Sequence, residues 1–380
     1  MTFSSLYFQQ SDQQQDIRGL MSFGKDMAGL RGTGLDWATD QWGGSELNRA
    51  GLFLFSELVF GTVMDQSFQT ALHEQGHGSR FASVGLGYRF NTGDDEFFGY
   101  YFSNFGDFEG FTQTTGVTYF ALDDRVQDFI NSKGGNNYRN LIISAAGINA
   151  EMTYADYLQD QMYFEGIHLS QGLGLIMGKT SALNYQYDDN LGNDLRSIED
   201  QYQLLNIHVD VGDMDQANIL AVLLSGSTWR YLAGAYDYTK TGDTRLESWE
   251  YFGFRVPDFS SYVTSRGLSM KMDTAYRLEE QLFLTLAVEH VYKGDSATEY
   301  TLGAYKEFPY MQGLTLQGHA IMGYGTGYGV ESELRVTDTF SVFAGANYDE
   351  LESLNGERYI VSLKDDLNEW SAFAGVRWFY

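Results

Sequence analysis

Cysteine is absent from the chain, which excludes a disulfide framework, a thiolate metal site and a cysteine nucleophile. Any metal must therefore be held by imidazole and carboxylate. Histidine is also scarce, with six in 380 residues, so a pair at a meaningful spacing stands out. Proline occurs twice, and with 43% apolar and 16% aromatic residues the composition does not suit disorder. Basic residues are few: 24 face 51 acidic ones, for a formal net charge of −27. Such a field repels nucleic acid, so no nucleic-acid partner is expected. It fits a surface exposed outside the cell or a cationic partner. Long hydrophobic runs are missing too. The longest, residues 50–64, contains Glu57 and falls short of the roughly 20 residues that a membrane-crossing helix needs. Residues 1–5 carry neither a basic n-region nor an apolar h-region, so an exported chain is expected to stand here in mature form.

What is present is His73-Glu74-Gln75-Gly76-His77, a His-Glu-x-x-His motif. Positions four apart lie one above the other on a helix, so the two imidazoles can be offered to one ion. Glu74 can approach the same place without ligating and take a proton from water. A helix is predicted over residues 46–80, capped by Ser45 or Asn48. Leu52, Phe55, Val59, Val63 and Leu72 recur at helical spacing. Thr62, Gln66, Gln69, His73 and His77 form a polar stripe along it, which suggests a buried site. The plain alternative is two helix-surface histidines beside a glutamate.

A catalytic zinc takes three protein ligands and leaves the fourth position to water. Glu151, Asp156, His168 and His208 are the downstream candidates for the third. A second helix is predicted to begin near Asn137, with Leu141, Ile142, Ala145, Ile148, Met152 and Leu158 on its apolar side. Asn140, Ser144, Gly147, Glu151 and Tyr154 form a small, polar stripe that lets another helix approach closely. Glu151 lies on that stripe; it also reads as an ordinary buried carboxylate or a partner for Arg139. Asp156, one turn on, is placed to accept a hydrogen bond from a ligating imidazole.

These two segments resemble the gluzincin metallopeptidases, in which a second helix supplies a glutamate ligand and a later acidic residue orients a histidine. The resemblance implies Zn2+ held by His73, His77 and Glu151, with Glu74 as general base and Asp156 behind the ligands. One departure is visible: Asp156 follows Glu151 by five residues, where familiar gluzincins use four.

Residues 3–35 read as short strands. Further strands are predicted at residues 81–90, 97–102 and 114–122, and residues 166–178 again look β-like. Residues 188–194 read as an acidic, Asn-rich loop, and a third helix is predicted over residues 214–233, capped by Asp213 or Asp215. From residue 250 the period becomes two. Leu268, Met270, Met272, Thr274 and Tyr276 alternate with Ser269, Lys271, Asp273, Ala275 and Arg277. Leu282 to Val288, Tyr328 to Val336, Phe340 to Tyr348 and Tyr359 to Leu363 repeat the pattern between turns. One apolar and one polar face per strand is the signature of an outer-membrane barrel. The final alternation, Trp370 to Tyr380, resembles the C-terminal strand of bacterial outer-membrane barrels. A soluble sandwich also alternates, but its inward faces have no reason to carry charge.

The expected fold is thus mixed: an antiparallel transmembrane β-barrel with inserted α-helices bearing the motif. Residues 1–45 and 241–380 would supply strands, and 46–240 the helical segments. The expected function is that of a bacterial outer-membrane zinc metallopeptidase in contact with membrane lipid. Its substrate would be a protein or peptide, including another outer-membrane protein. Two rivals stand beside it: a metal-dependent lipid hydrolase, and a non-enzymatic transport or surface-binding barrel plugged by helices. The Gly-rich residues 323–327 lack the strand-then-helix context of a phosphate loop, and no Gly-x-Ser-x-Gly elbow occurs.

Overall fold

A computed structural model describes residues 2–9, 18–83, 88–92, 116–120, 137–184, 193–308, 313–337, 340–350, 354 and 369–379. The expected strand at 97–102, the alternation at Tyr359, Val361 and Leu363 and the side chain of Arg139 lie outside the described residues.

Strand β1 (Thr2–Gln9) is followed by α1 (Arg18–Trp42) and α2 (Glu46–Phe55). Next come a π-helical segment (Ser56–Gly61) and α3 (Thr62–Ser83), which continue from α2 without a break. The small hairpin β2 (Tyr88–Thr92) and β3 (Gly116–Phe120) then precedes the long α4 (Asn137–Phe164). After β4 (Ile167–His168) the helices are α5 (Gly172–Lys179), α6 (Asp194–Leu204), α7 (Val211–Leu224) and α8 (Gly226–Thr241). The short strands β5 (Arg245–Leu246), β6 (Glu250–Tyr251) and β7 (Phe254–Arg255) lead to β8 (Asp258–Thr264). Long strands then follow in a meander: β9 (Gly267–Glu279), β10 (Leu282–Gly294), β11 (Thr298–Phe308), β12 (Leu314–Gly323), β13 (Gly327–Thr337), β14 (Phe340–Asp349) and β15 (Glu369–Phe379).

Among the described residues eleven strands form one antiparallel sheet in the order β1-β15-β14-β13-β12-β11-β10-β9-β7-β6, with β8 also paired to β9. The class is mixed α/β. The register keeps the two faces apart. Leu286 opposes Leu302 on one face, whereas Glu289 opposes both Glu299 and Lys271 on the other. Leu284, Leu286, Leu302 and Val330 are exposed, while Phe283, Ala287, Glu289 and Glu299 are buried. The alternation of the C-terminal half is therefore the pleat itself.

The polar face of β9 to β14 and the helix α4 line one cavity. Asn149 on α4 donates to Val263 O at 2.8 Å and accepts from Val263 N at 3.1 Å, so it pairs with the edge of β8 as a strand would. Ser225 does the same at Phe259, with both bonds at 3.0 Å. Lys179 adds a bond to Phe259 O and a 2.7 Å ion pair with Asp258. An unpaired strand edge is thereby satisfied by helices. Leu72 and Leu158, fully buried in one core cluster, and Leu141, fully buried in a second with Leu195 and Ile198, contribute roughly 1.5–3 kcal/mol each.

Three expectations are corrected. Among the described residues of 1–45 only Thr2–Gln9 is strand; residues 18–42 are helix, with Met21, Ala28 and Leu35 buried at seven-residue intervals. Five glycines in that helix had masked the period. Residues 166–178 contain only a two-residue strand before a 3-10 turn and α5, because a short apolar run buried all round has no diagnostic period. The third predicted helix is two, broken at Ser225. In addition, Glu46–Gly78 is long and apolar enough to cross a membrane by length and composition. Run length alone hid this, since Glu57 and Asp65 interrupt the segment; both are paired to Arg31, at 3.5 and 3.1 Å.

Candidate metal centre

Helices α3 and α4 approach closely at two glycines. A Cβ built on Gly76 would stand 2.5 Å from Ala146 O, and one on Gly147 would stand 2.3 Å from His73 Nε2. The small stripe on α4 thus seats the imidazole of the first histidine. Four residues on, His77 lies edge-on to it with ring centroids 4.8 Å apart.

The outer nitrogen of each ring is committed to α4. His77 Nδ1 lies 2.8 Å from Ile143 O, and a carbonyl only accepts, so Nδ1 carries the proton. His73 Nδ1 lies 2.6 Å from Glu151 Oε1 and donates to it in the same way. Both Nε2 atoms then point at one spot, each giving a lone pair to a cation there or, in its absence, carrying a proton toward Asp194. They stand 3.1 Å apart, and Asp194 Oδ2 lies 2.9 Å from the Nε2 of His73 and 3.1 Å from that of His77. Asp194 opens α6 behind the cap Asn193, whose side chain accepts from Leu195 N at 3.0 Å.

Three acceptors facing one another at this range repel unless a cation or an extra proton sits among them. The donor set fits zinc. Ligand atoms 2.0–2.1 Å from a tetrahedral ion lie roughly 3.3 Å from each other, close to the separations of 2.9–3.1 Å found here. His73, His77 and Asp194 form a group of this kind among the described residues. Burial by itself would raise the Asp194 carboxyl, but charge on His77 and the hydrogen bonds from both rings hold it well below the usual carboxylate range. The ionised form that ligation requires is the favoured one.

The predicted residues distribute as follows. His73 and His77 converge, and both are buried. Glu74 is buried on the same helix. Glu151 reaches the cluster, but on the nitrogen of His73 opposite the convergence point, so it orients that ring and does not complete the donor set. Asp156 is corrected outright. It points to the other side of α4, accepting from Ser260, from Tyr262 at 2.6 Å and from Lys271 at 2.9 Å. There it lines a cavity of about 280 Å³ between α4 and the sheet, together with Asp160, Tyr157 and Asp273. This cavity is acidic and is not lined by His73 or His77. His168 caps the 3-10 turn through Ser170 N at 3.0 Å and pairs with Asp36 at 3.2 Å; His208 is exposed. The residue that sequence reasoning missed is Asp194, taken for the end of a loop. Its signal was the pair Asn193-Asp194, a cap followed by an acid in the first turn, which marks a helix start but not a ligand.

Gly147→Ala tests this seating. Helix propensity alone would make the change stabilising by about 0.5–1 kcal/mol. The clash with His73 reverses the sign to a loss of about 1–3 kcal/mol and moves the ring off Asp194. Chemical unfolding and elemental zinc analysis of the purified variant read both effects, and an unchanged zinc content would rule out the seating argument.

Against protein-family models, curated proteins and solved structures, the chain matches none.

Proposed function

We propose that the chain is a zinc-dependent hydrolase of peptide bonds, built on a barrel of the bacterial outer membrane. The observation that carries the chemistry is the convergence of two imidazole Nε2 atoms and an Asp194 oxygen beside a buried glutamate on the same helix. Zn2+, when bound, would polarise the scissile carbonyl and make water nucleophilic at neutral pH. The chain's own residues do the rest. Glu151 and Ile143 O hold the two rings with their Nδ1–H groups turned away, so that both Nε2 lone pairs are available. Glu74 takes the proton from water and returns it to the leaving amine. The membrane part of the reading is supported by the exposed apolar face of the sheet, opposite a face that carries Lys271, Glu289 and Glu299. In that setting the sheet is a barrel wall around α4, and its substrates are protein segments, including other outer-membrane proteins, that reach the site past Asp194. Asp194 is the most open of the three donors, with 24% of its side chain exposed.

A second reading rests on how deeply the histidines are held, at 6% and 8% exposure. On that reading the cluster staples α3 to α4 and α6, and the helices plug a non-catalytic barrel. Glu74→Gln separates the two. In the hydrolase it leaves the zinc content intact and lowers cleavage of fluorescein-labelled casein in detergent micelles by about 100-fold or more. Equal activity in parent and variant would favour the plug.

A further inference from the structure

The helices leave a large apolar face uncovered. On α7 and α8 the exposed side chains include Leu220, Leu223, Leu224, Trp229 and Leu232. Between Gln216 and Tyr236 the sequence contains a single charge, Arg230. Its guanidinium is folded back onto Glu247 O at 2.9 Å and Asp237 at 3.3 Å. In a chain of net charge −27 such a surface is exceptional. It is bounded along the chain by Asp215 and by Asp237 and Lys240.

This face also continues into the outer face of the sheet. Gly226, at the junction of α7 and α8, packs so closely on Val256 that a Cβ there would lie 2.6 Å from Val256 Cγ1. Two residues earlier, Phe254 lies against Tyr276 with ring centroids 4.6 Å apart, and Tyr276 is the register partner of Leu284. Leu284 and Leu286 belong to the apolar face of β10. The β6–β7 hairpin that makes this link carries Phe252, 99% exposed, at its tip.

We propose that lipid contact does not stop at the strands: the outer faces of α7 and α8, with the β6–β7 hairpin, sit against acyl chains and form part of the lipid-facing wall. The inference rests on the membrane reading above. It follows from how β8 is finished. Helices take up its edge hydrogen bonds through Asn149, Ser225 and Lys179, so the wall passes from strand to helix with those groups satisfied. Helices satisfy their own backbone internally, and an apolar side is all they need to face hydrocarbon.

The absence of native cysteine makes the test direct. Leu223→Cys, Leu232→Cys, Leu286→Cys and Asp237→Cys are each spin-labelled in the full chain. Each is reconstituted into phosphatidylethanolamine–phosphatidylglycerol vesicles and probed with oxygen and with a water-soluble nickel chelate. Labels at 223 and 232 should collide with oxygen and lose collision with nickel, matching 286 and contrasting with 237. Nickel relaxation at 223 and 232 with protection at 286 would overturn the inference while leaving the membrane reading intact. Nickel relaxation at 286 as well would remove both. Shielding of 223 and 232 from both reagents would mean a protein covers the face, and would equally overturn the inference.

Discussion

His77→Ala and Asp194→Ala should each abolish stoichiometric zinc binding, whereas the parent should hold about one ion per chain. Losing a partner that only orients a ligand typically weakens a metal site about 10–100-fold, and removing one of three donors should exceed that range. The prediction discriminates because Asp194 lies 121 residues from His73 in sequence and meets it only in the folded chain. Asp156→Ala is the matched control. It removes a carboxylate once expected near the site but bonded instead to Tyr262 and Lys271 on the sheet. Its zinc content should equal the parent's, whatever it does to stability. Elemental analysis after gel filtration measures all three variants, and full zinc retention in Asp194→Ala would end the case for a His-His-Asp centre.

Lys179→Met carries the largest expected cost in stability. Its ammonium and the Asp258 carboxylate are 2.7 Å apart, and neither side chain has any exposed surface. Asp258 also accepts from Ser227 N at 2.9 Å and from Phe259 N at 3.1 Å, so the pair ties α5, the start of α8 and β8 together. Removing the lysine leaves a buried carboxylate without its counter-charge, a change that costs about 3–5 kcal/mol. The Lys240–Glu46 pair is as short, at 2.6 Å, but is largely in water. Lys240→Met should leave the unfolding midpoint unchanged, because solvent screens that pair. Equal midpoints for the two variants would show that the helices are not held to β8 through Lys179.

Much of the sheet could be read in advance. The alternation from Leu268 to Tyr276 and from Tyr328 to Val336 is a property of each strand alone: successive side chains point to opposite faces. The α3 helix and the close approach of α4 were legible for a similar reason. Polar and small residues at three- and four-residue spacing occupy one side of each helix, and Gly147 duly lies under His73. Where local period and burial part company the reading failed. Segment 18–42 has glycines that blur its helical repeat, and α5 is apolar on most sides.

The sequence by itself determined what neighbouring residues decide: the strands and their two faces, the helix that sets two imidazoles a turn apart, and a net charge of −27. Only the tertiary structure decided which acid joins those imidazoles. It swung Asp156 toward Ser260, Tyr262 and Lys271, put Glu151 on the outer nitrogen of His73, and brought Asp194 to the inner ones. The reason is physical. Backbone periodicity is a short-range property carried within a few residues. Convergence of donors from α3 and α6 depends on how both helices pack against α4, and that depends on the whole chain at once.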